Sequence, residues 1–148
     1  MADKTLFLSV VLVGIQFACL GAIALTGPLT PDNDALLAVQ LVGLGLGVWA
    51  VLIMRVGYFN ILPQPLAWSK LVTSGPYKLI RHPMYLALLL VTLPLIIDTF
   101  NFFRAVVWLT LLADLLVKLL LEEKLLRGKL EGYEVYIQNS FRLFPFIF

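Results

Sequence analysis

Leu6-Phe-Leu-Ser-Val-Val-Leu-Val-Gly-Ile-Gln-Phe-Ala-Cys-Leu-Gly-Ala-Ile-Ala-Leu25 is a run of 20 residues without a formal charge. As a helix it would be about 30 Å long, which matches the hydrocarbon core of a bilayer. Ala35 to Met54 repeats the pattern over another 20 uncharged residues. Both runs read as transmembrane helices. The rest of the chain agrees: of 148 residues, 61% are hydrophobic and only 14% charged, too little polar cover for the surface of a soluble domain. A signal peptide is a poorer reading of the first run, because its apolar stretch exceeds a normal h-region and only Lys4 flanks it with positive charge.

Two further apolar segments follow, Met84 to Ile97 and Ala105 to Leu121, joined by Asp98 to Arg104. The spacing predicts a tight helical hairpin. The expected fold is therefore all-α and multi-pass, about four transmembrane helices in a single domain over residues 1–148. The third segment has 14 residues and carries Pro94, so on length it could be re-entrant instead of spanning. Either geometry brings residues 82 and 122 to the same face, since the two arms of a hairpin begin and finish together.

Orientation follows from the basic residues of the short loops, which are retained on the cytoplasmic side. The loop from Thr26 to Asp34 has no Lys or Arg, whereas Arg55, Lys70, Lys78 and Arg81 lie between the second and third segments and Lys124, Arg127, Lys129 and Arg142 follow the fourth. Both termini are expected in the cytoplasm. The stretch from Val56 to His82 mixes Pro and Gly with Tyr58, Phe59, Trp68 and Tyr77, as a segment packed on the membrane surface would. Beyond Gly132, aromatic residues alternate with polar ones, which suits an interfacial segment closing over the cytoplasmic end.

Composition also excludes some classes. A net charge of +2, with no basic run interleaved with aromatics, gives no sign of a nucleic-acid partner. Cys19 is the single cysteine and His82 the single histidine, so neither a disulfide framework nor a Cys/His metal pattern exists.

Polar chemistry concentrates in two places. On the fourth segment Asp114, Lys118 and Glu122 fall at i, i+4 and i+8, on one helix face. Ionisable groups at such depth must pair, either as a ladder that satisfies itself or by holding a ligand, with Lys118 meeting an anion and Glu122 or Glu123 meeting hydroxyl or ammonium groups. The second place is Gly75-Pro76-Tyr77 followed by Arg81-His82-Pro83-Met84-Tyr85. Gly75-Pro76 forces a turn, and Pro83 pushes His82 out of helical geometry, to a helix entrance. Arg81, His82 and the first turn of that helix could hold an anion, with the faces and hydroxyls of Tyr77 and Tyr85 alongside. The plainer reading is a positive-inside anchor, a helix start and an aromatic belt. Gly43, Gly45 and Gly47, inside the second apolar run, read as close helix packing and not as a nucleotide loop, because no strand precedes them.

Leu71-Val-Thr-Ser-Gly-Pro-Tyr77, Arg81-His-Pro-Met-Tyr85, Glu122-Glu123, and Gly132-Tyr133 with Tyr136 and Pro145 occur in an order that resembles the isoprenylcysteine carboxyl methyltransferase and phospholipid methyltransferase superfamily of integral membrane enzymes. The resemblance implies S-adenosylmethionine bound by a cytoplasmic loop beneath the C-terminal segment, and a lipophilic methyl acceptor, isoprenylcysteine carboxylate-like or phospholipid-like, entering from the bilayer. By the same resemblance the cofactor contacts fall on Ser69, Lys70, Leu71, Val72, Tyr77, His82, Pro83, Met84, Tyr85 and Glu122. Lys118 stands where the family has a substrate-orienting arginine, and Glu123, Arg81 and Lys118 are the candidate catalytic groups. Lysine keeps the charge but lacks the bidentate fork for a carboxylate. Ala87 replaces a usual glycine, and Trp68-Ser69-Lys70 a stretch that often holds histidine.

Methyl transfer from a sulfonium needs alignment, exclusion of water and electrostatic complementarity, and no nucleophilic side chain. An amine acceptor would also need a base, for which Glu123 or His82 would serve. Two other classes fit the same sequence: an NADPH-dependent sterol or steroid reductase, for which the chain has few spare basic residues, and a non-catalytic membrane subunit with a ligand pocket.

Overall fold

The structure is a computed structural model that describes residues 2–54, 71–127, 129–130 and 132–145, with side chains from residue 5 onward. Helix α1 spans Ala2–Leu25, α2 Asp34–Met54, α3 Pro83–Asp98, α4 Phe102–Arg127 and α5 Tyr133–Gln138, with a short 3₁₀ turn at Gly75–Lys78 before α3. Among the described residues there is no strand, only one isolated parallel bridge between Ile80 and Phe141. α1 and α2 are each long and apolar enough to cross a membrane. α3 is apolar but has 16 residues, and α4 has 26 and carries Arg104, Asp114 and Lys118 before the charged run that starts at Glu122.

The helix starts follow from local capping. The Asn33 side chain accepts hydrogen bonds from the backbone of Ala35 and Leu36, at 2.9 and 3.2 Å, and so satisfies the free N–H groups of α2. Asp98, at the end of α3, accepts from the backbone of Asp32 and Asn33, placing a carboxylate at the positive end of α2. Asn101 caps α4 through Phe103 N–H at 2.8 Å. Pro83 opens α3 at a position where its missing N–H costs nothing.

α2 packs along α3, and α1 along α4. On α1 the buried side chains are Ser9, Leu12, Gln16, Cys19 and Ile23, a stripe at intervals of three and four residues. Leu111, Leu115 and Leu119 of α4 join Leu86, Leu89 and Leu95 of α3 to make the centre of the core. Trp108 Nε1 donates to Thr92 Oγ1 at 3.0 Å and ties α4 to α3. The outward faces of α1 and α2 expose Phe7, Val10, Leu41 and Val42, a surface suited to lipid and not to water.

The three glycines of α2 separate by role. A Cβ on Gly43 would lie 2.8 Å from Leu90 Cβ, and one on Gly47 would lie 3.3 Å from Ala87 Cβ, whereas Gly45 faces open space. Gly43 and Gly47, one turn apart, let α3 approach closely, as the packing reading expects.

Candidate active site

The C-terminal segment clamps the entrance of α3. Arg81 N–H donates to Phe141 O at 2.7 Å, Phe141 N–H to Leu79 O at 2.9 Å and His82 N–H to Arg142 O at 3.1 Å. Tyr136 Oη donates to Tyr77 O at 2.6 Å and fastens α5 to the 3₁₀ turn. Gly75 makes that turn possible: its φ is +57°, and a Cβ there would stand 2.7 Å from Ile53 Cγ1.

Two glutamates of α4 reach the same entrance and divide the work. Glu123, 3% exposed, receives Arg81 Nε at 2.8 Å on one oxygen and Arg142 Nε at 3.1 Å on the other. Against the cost of burial, the neighbouring His82, Arg81 and Arg142 hold its carboxyl down at about 2, beyond the apolar stretch that ends at Leu121. Arg81 also donates through Nη1 to the carbonyls of Ile137 and Ser140, so it braces the C-terminal segment. Glu122 accepts a short hydrogen bond from Tyr85 Oη and lies 3.3 Å from His82 Nδ1. His82 Nε2 is 3.7 Å from Glu123, an electrostatic contact without a full hydrogen bond, and has no hydrogen-bond partner among the described residues. Burial lowers the imidazole pKa, but Glu122 and Glu123 outweigh it and leave the group above its ordinary value. Tyr77 is pushed up by burial, then by Tyr136 and Glu122, so its hydroxyl stays protonated.

The positive entrance of α3 is thus met by the chain's own carboxylates. The i, i+4, i+8 face of α4 does not close into an ion ladder either. Lys118 Nζ donates to Gln16 Oε1 of α1 and stands 5.4 Å from the centre of the Tyr85 ring, while both Asp114 oxygens are buried without a hydrogen-bond partner among the described residues. The rings of His82 and Tyr85 stack with centroids 5.5 Å apart.

These groups line one cavity of about 620 Å³. Tyr77, Arg81, His82, Tyr85, Lys118 and Glu122 supply its polar wall; Gly43, Gly47, Val51, Leu88 and Val91 are among its apolar lining. Pro83 and Met84 line it as well. Glu123, Leu71 and Val72 do not: Glu123 is turned to its arginines, and Leu71 and Val72 are half-buried before the 3₁₀ turn. Ser69 and Lys70, with the expected surface segment up to residue 70, lie outside the described residues. Sequence reasoning missed Gln16. The signal was there, since an amide inside an apolar span must find a polar partner. It also missed that Arg142 shares Glu123 with Arg81, a contact between distant parts of the chain.

A sequence model described as phospholipid methyltransferase matches residues 34–131, from the start of α2 to just before α5. No curated protein and no solved structure matches the chain.

Proposed function

The chain belongs to the phospholipid methyltransferase family, within the superfamily of membrane methyltransferases that also holds the isoprenylcysteine carboxyl enzymes, and from that membership we propose that it transfers a methyl group from S-adenosylmethionine to a lipophilic acceptor at the cytoplasmic membrane face. The family is one of methyltransferases acting on lipid-like substrates. The observation that carries the finer reading is the meeting of His82 and Tyr85 with Glu122 and Lys118 on one wall of an otherwise apolar cavity.

The residues fit such a cofactor. A volume of about 620 Å³ suits a small-molecule ligand, and the cavity offers carboxylate, imidazole and phenol groups for hydroxyls and an ammonium. The unpartnered His82 Nε2 is a further open position. Glu122, His82, Tyr77 and Tyr85, with Pro83 and Met84, would hold the cofactor; Leu71 and Val72, and Ser69 and Lys70 beyond the described residues, are assigned to it by the family resemblance. When bound, S-adenosylmethionine supplies a sulfonium-borne methyl group for in-line displacement. The stacked His82 and Tyr85 rings form a rigid wall that limits water, and the apolar faces of α2 and α3 align a lipid chain. Lys118 orients the acceptor. Arg81 adds positive charge to the wall and fixes the C-terminal cover.

An already ionised acceptor needs no base. For an amine, His82 is the better placed of the two candidates, because Glu123 is held at about 2 and is occupied by two arginines. Four crossings, both termini in the cytoplasm and one domain over residues 1–148 complete the proposal; support comes from the lengths of α1, α2 and α4 and from the lack of Lys and Arg between Thr26 and Asp34.

Titration of the purified protein with S-adenosylmethionine and with NADPH tests this reading. Saturable binding of the former alone supports it. Preference for NADPH would support the reductase, and binding of neither would leave a non-catalytic subunit. Incubation with methyl-labelled cofactor and a native lipid extract then identifies the acceptor by its label.

A further inference from the structure

The C-terminal segment lies beyond the residues that match the family, yet it supplies one of the two arginines on Glu123. Arg142 Nε holds the Oε2 oxygen at 3.1 Å, while Arg81 Nε takes Oε1 at 2.8 Å. A carboxylate anchored at both oxygens does not turn about its last bond. Oε1 therefore stays 3.7 Å from His82 Nε2, less than about 1 Å too far for a hydrogen bond. That ring nitrogen is buried and has no hydrogen-bond partner among the described residues. Arg142 also fixes the backbone of the same histidine, since its carbonyl accepts from His82 N–H at 3.1 Å.

The charges about the imidazole come from several elements. α4 brings Glu122 to Nδ1 at 3.3 Å and Glu123 towards Nε2, and both favour a proton on the ring. The guanidinium groups of Arg81 and Arg142, on Glu123, oppose them. Tyr85 stacks on the ring, Tyr77 shares its cavity wall, and Tyr133 of α5 stands by Glu123; all three are neutral phenols. Lys118 lies against the Tyr85 ring. Between two carboxylates without arginines, an imidazole would keep its proton throughout the physiological range.

We propose that Arg142 is a positioning residue that turns the Glu123 carboxylate away from His82 and so leaves the imidazole able to exchange its proton. This rests on the reading of His82 as the base for an amine acceptor. The amine sheds a proton, the imidazole takes it, and the ring must hand it to water before the next turnover; a ring that binds it too firmly stalls. Without Arg142, the carboxylate would pivot on its remaining bond to Arg81 and close on Nε2.

His82 is the single histidine, so NMR of protein prepared without a histidine tag follows this imidazole alone. Wild type, Arg142→Gln and Arg142→Lys are titrated in detergent, each with its melting temperature. The Arg142 side chain is 31% exposed and its loss leaves Glu123 paired with Arg81, so the variants should fold. Arg142→Gln should raise the midpoint of the His82 titration by at least about half a pH unit and give Nε2 the signal of a hydrogen-bonded N–H. Arg142→Lys, which keeps the charge, should restore most of the wild-type midpoint. On a Glu123→Gln background the Arg142→Gln shift should shrink to less than half; if that background does not fold, the two Arg142 variants decide. An unchanged midpoint in folded Arg142→Gln would overturn the proposal, and an unchanged midpoint with a lower melting temperature is what a purely structural Arg142 would give. Absence of S-adenosylmethionine binding by the wild type would count against the methyltransferase reading, and the imidazole titration is measured independently of it.

Discussion

Glu123 joins three parts of the chain, because its oxygens receive Arg81 from the entrance of α3 and Arg142 from the C-terminal segment. The Arg81 pair is almost fully buried, so removing the carboxylate would strand an arginine. Glu123→Ala should therefore destabilise the protein by about 3–5 kcal/mol, read from reversible unfolding in detergent; a loss under about 1 kcal/mol would mean that the pair behaves as an exposed one. His82 gives a pH signature. Its pKa is raised in the folded state, so its favourable contribution is fully present below the ordinary imidazole value of 6.5 and is lost as pH rises through the raised one. The stability gap between wild type and His82→Gln should narrow as the buffer goes from about pH 6 to about pH 9. A gap that widened over that range would show a depressed imidazole.

At the scale of elements, α2 and α3 are held together by what α2 lacks. A side chain on Gly43 would meet Leu90 and the α3 backbone at 2.8–3.0 Å, so Gly43→Val should cost about 1–3 kcal/mol, while Gly45→Val, facing open space, should cost little. Comparable losses at both positions would place α3 elsewhere. The helices themselves were legible because lipid-facing sequence carries little but length: the apolar runs beginning at Leu6 and Ala35 became α1 and α2 within a few residues. The face of Asp114, Lys118 and Glu122 was legible as well, from the helical period alone. Its partners were not. Periodicity within one helix cannot show that Lys118 turns to Gln16, 102 residues away, or that Glu122 turns to Tyr85 and not to its neighbour on α4. The anion pocket expected at Arg81 and His82 met the same limit, since the chain supplies its own carboxylates there.

For the molecule as a whole, the polar groups gather where α3 begins and α4 ends, while the α1–α2 loop sits with Asp98 at the opposite end. The proposed topology puts these ends on opposite sides of the membrane. In a cysteine-free background, Cys19→Ser, a single cysteine at Asn33 should label only from the face opposite the cytoplasm and one at Lys129 only from the cytoplasmic face. Labelling of both from one side would reject it. The central claim, that Glu122 belongs to a cofactor site, is tested most directly by calorimetric titration of S-adenosylmethionine into wild type and Glu122→Gln, with the melting temperature of each measured in parallel. The account predicts saturable binding to the wild type and its loss in a variant that is still folded; a folded Glu122→Gln with wild-type affinity would contradict it.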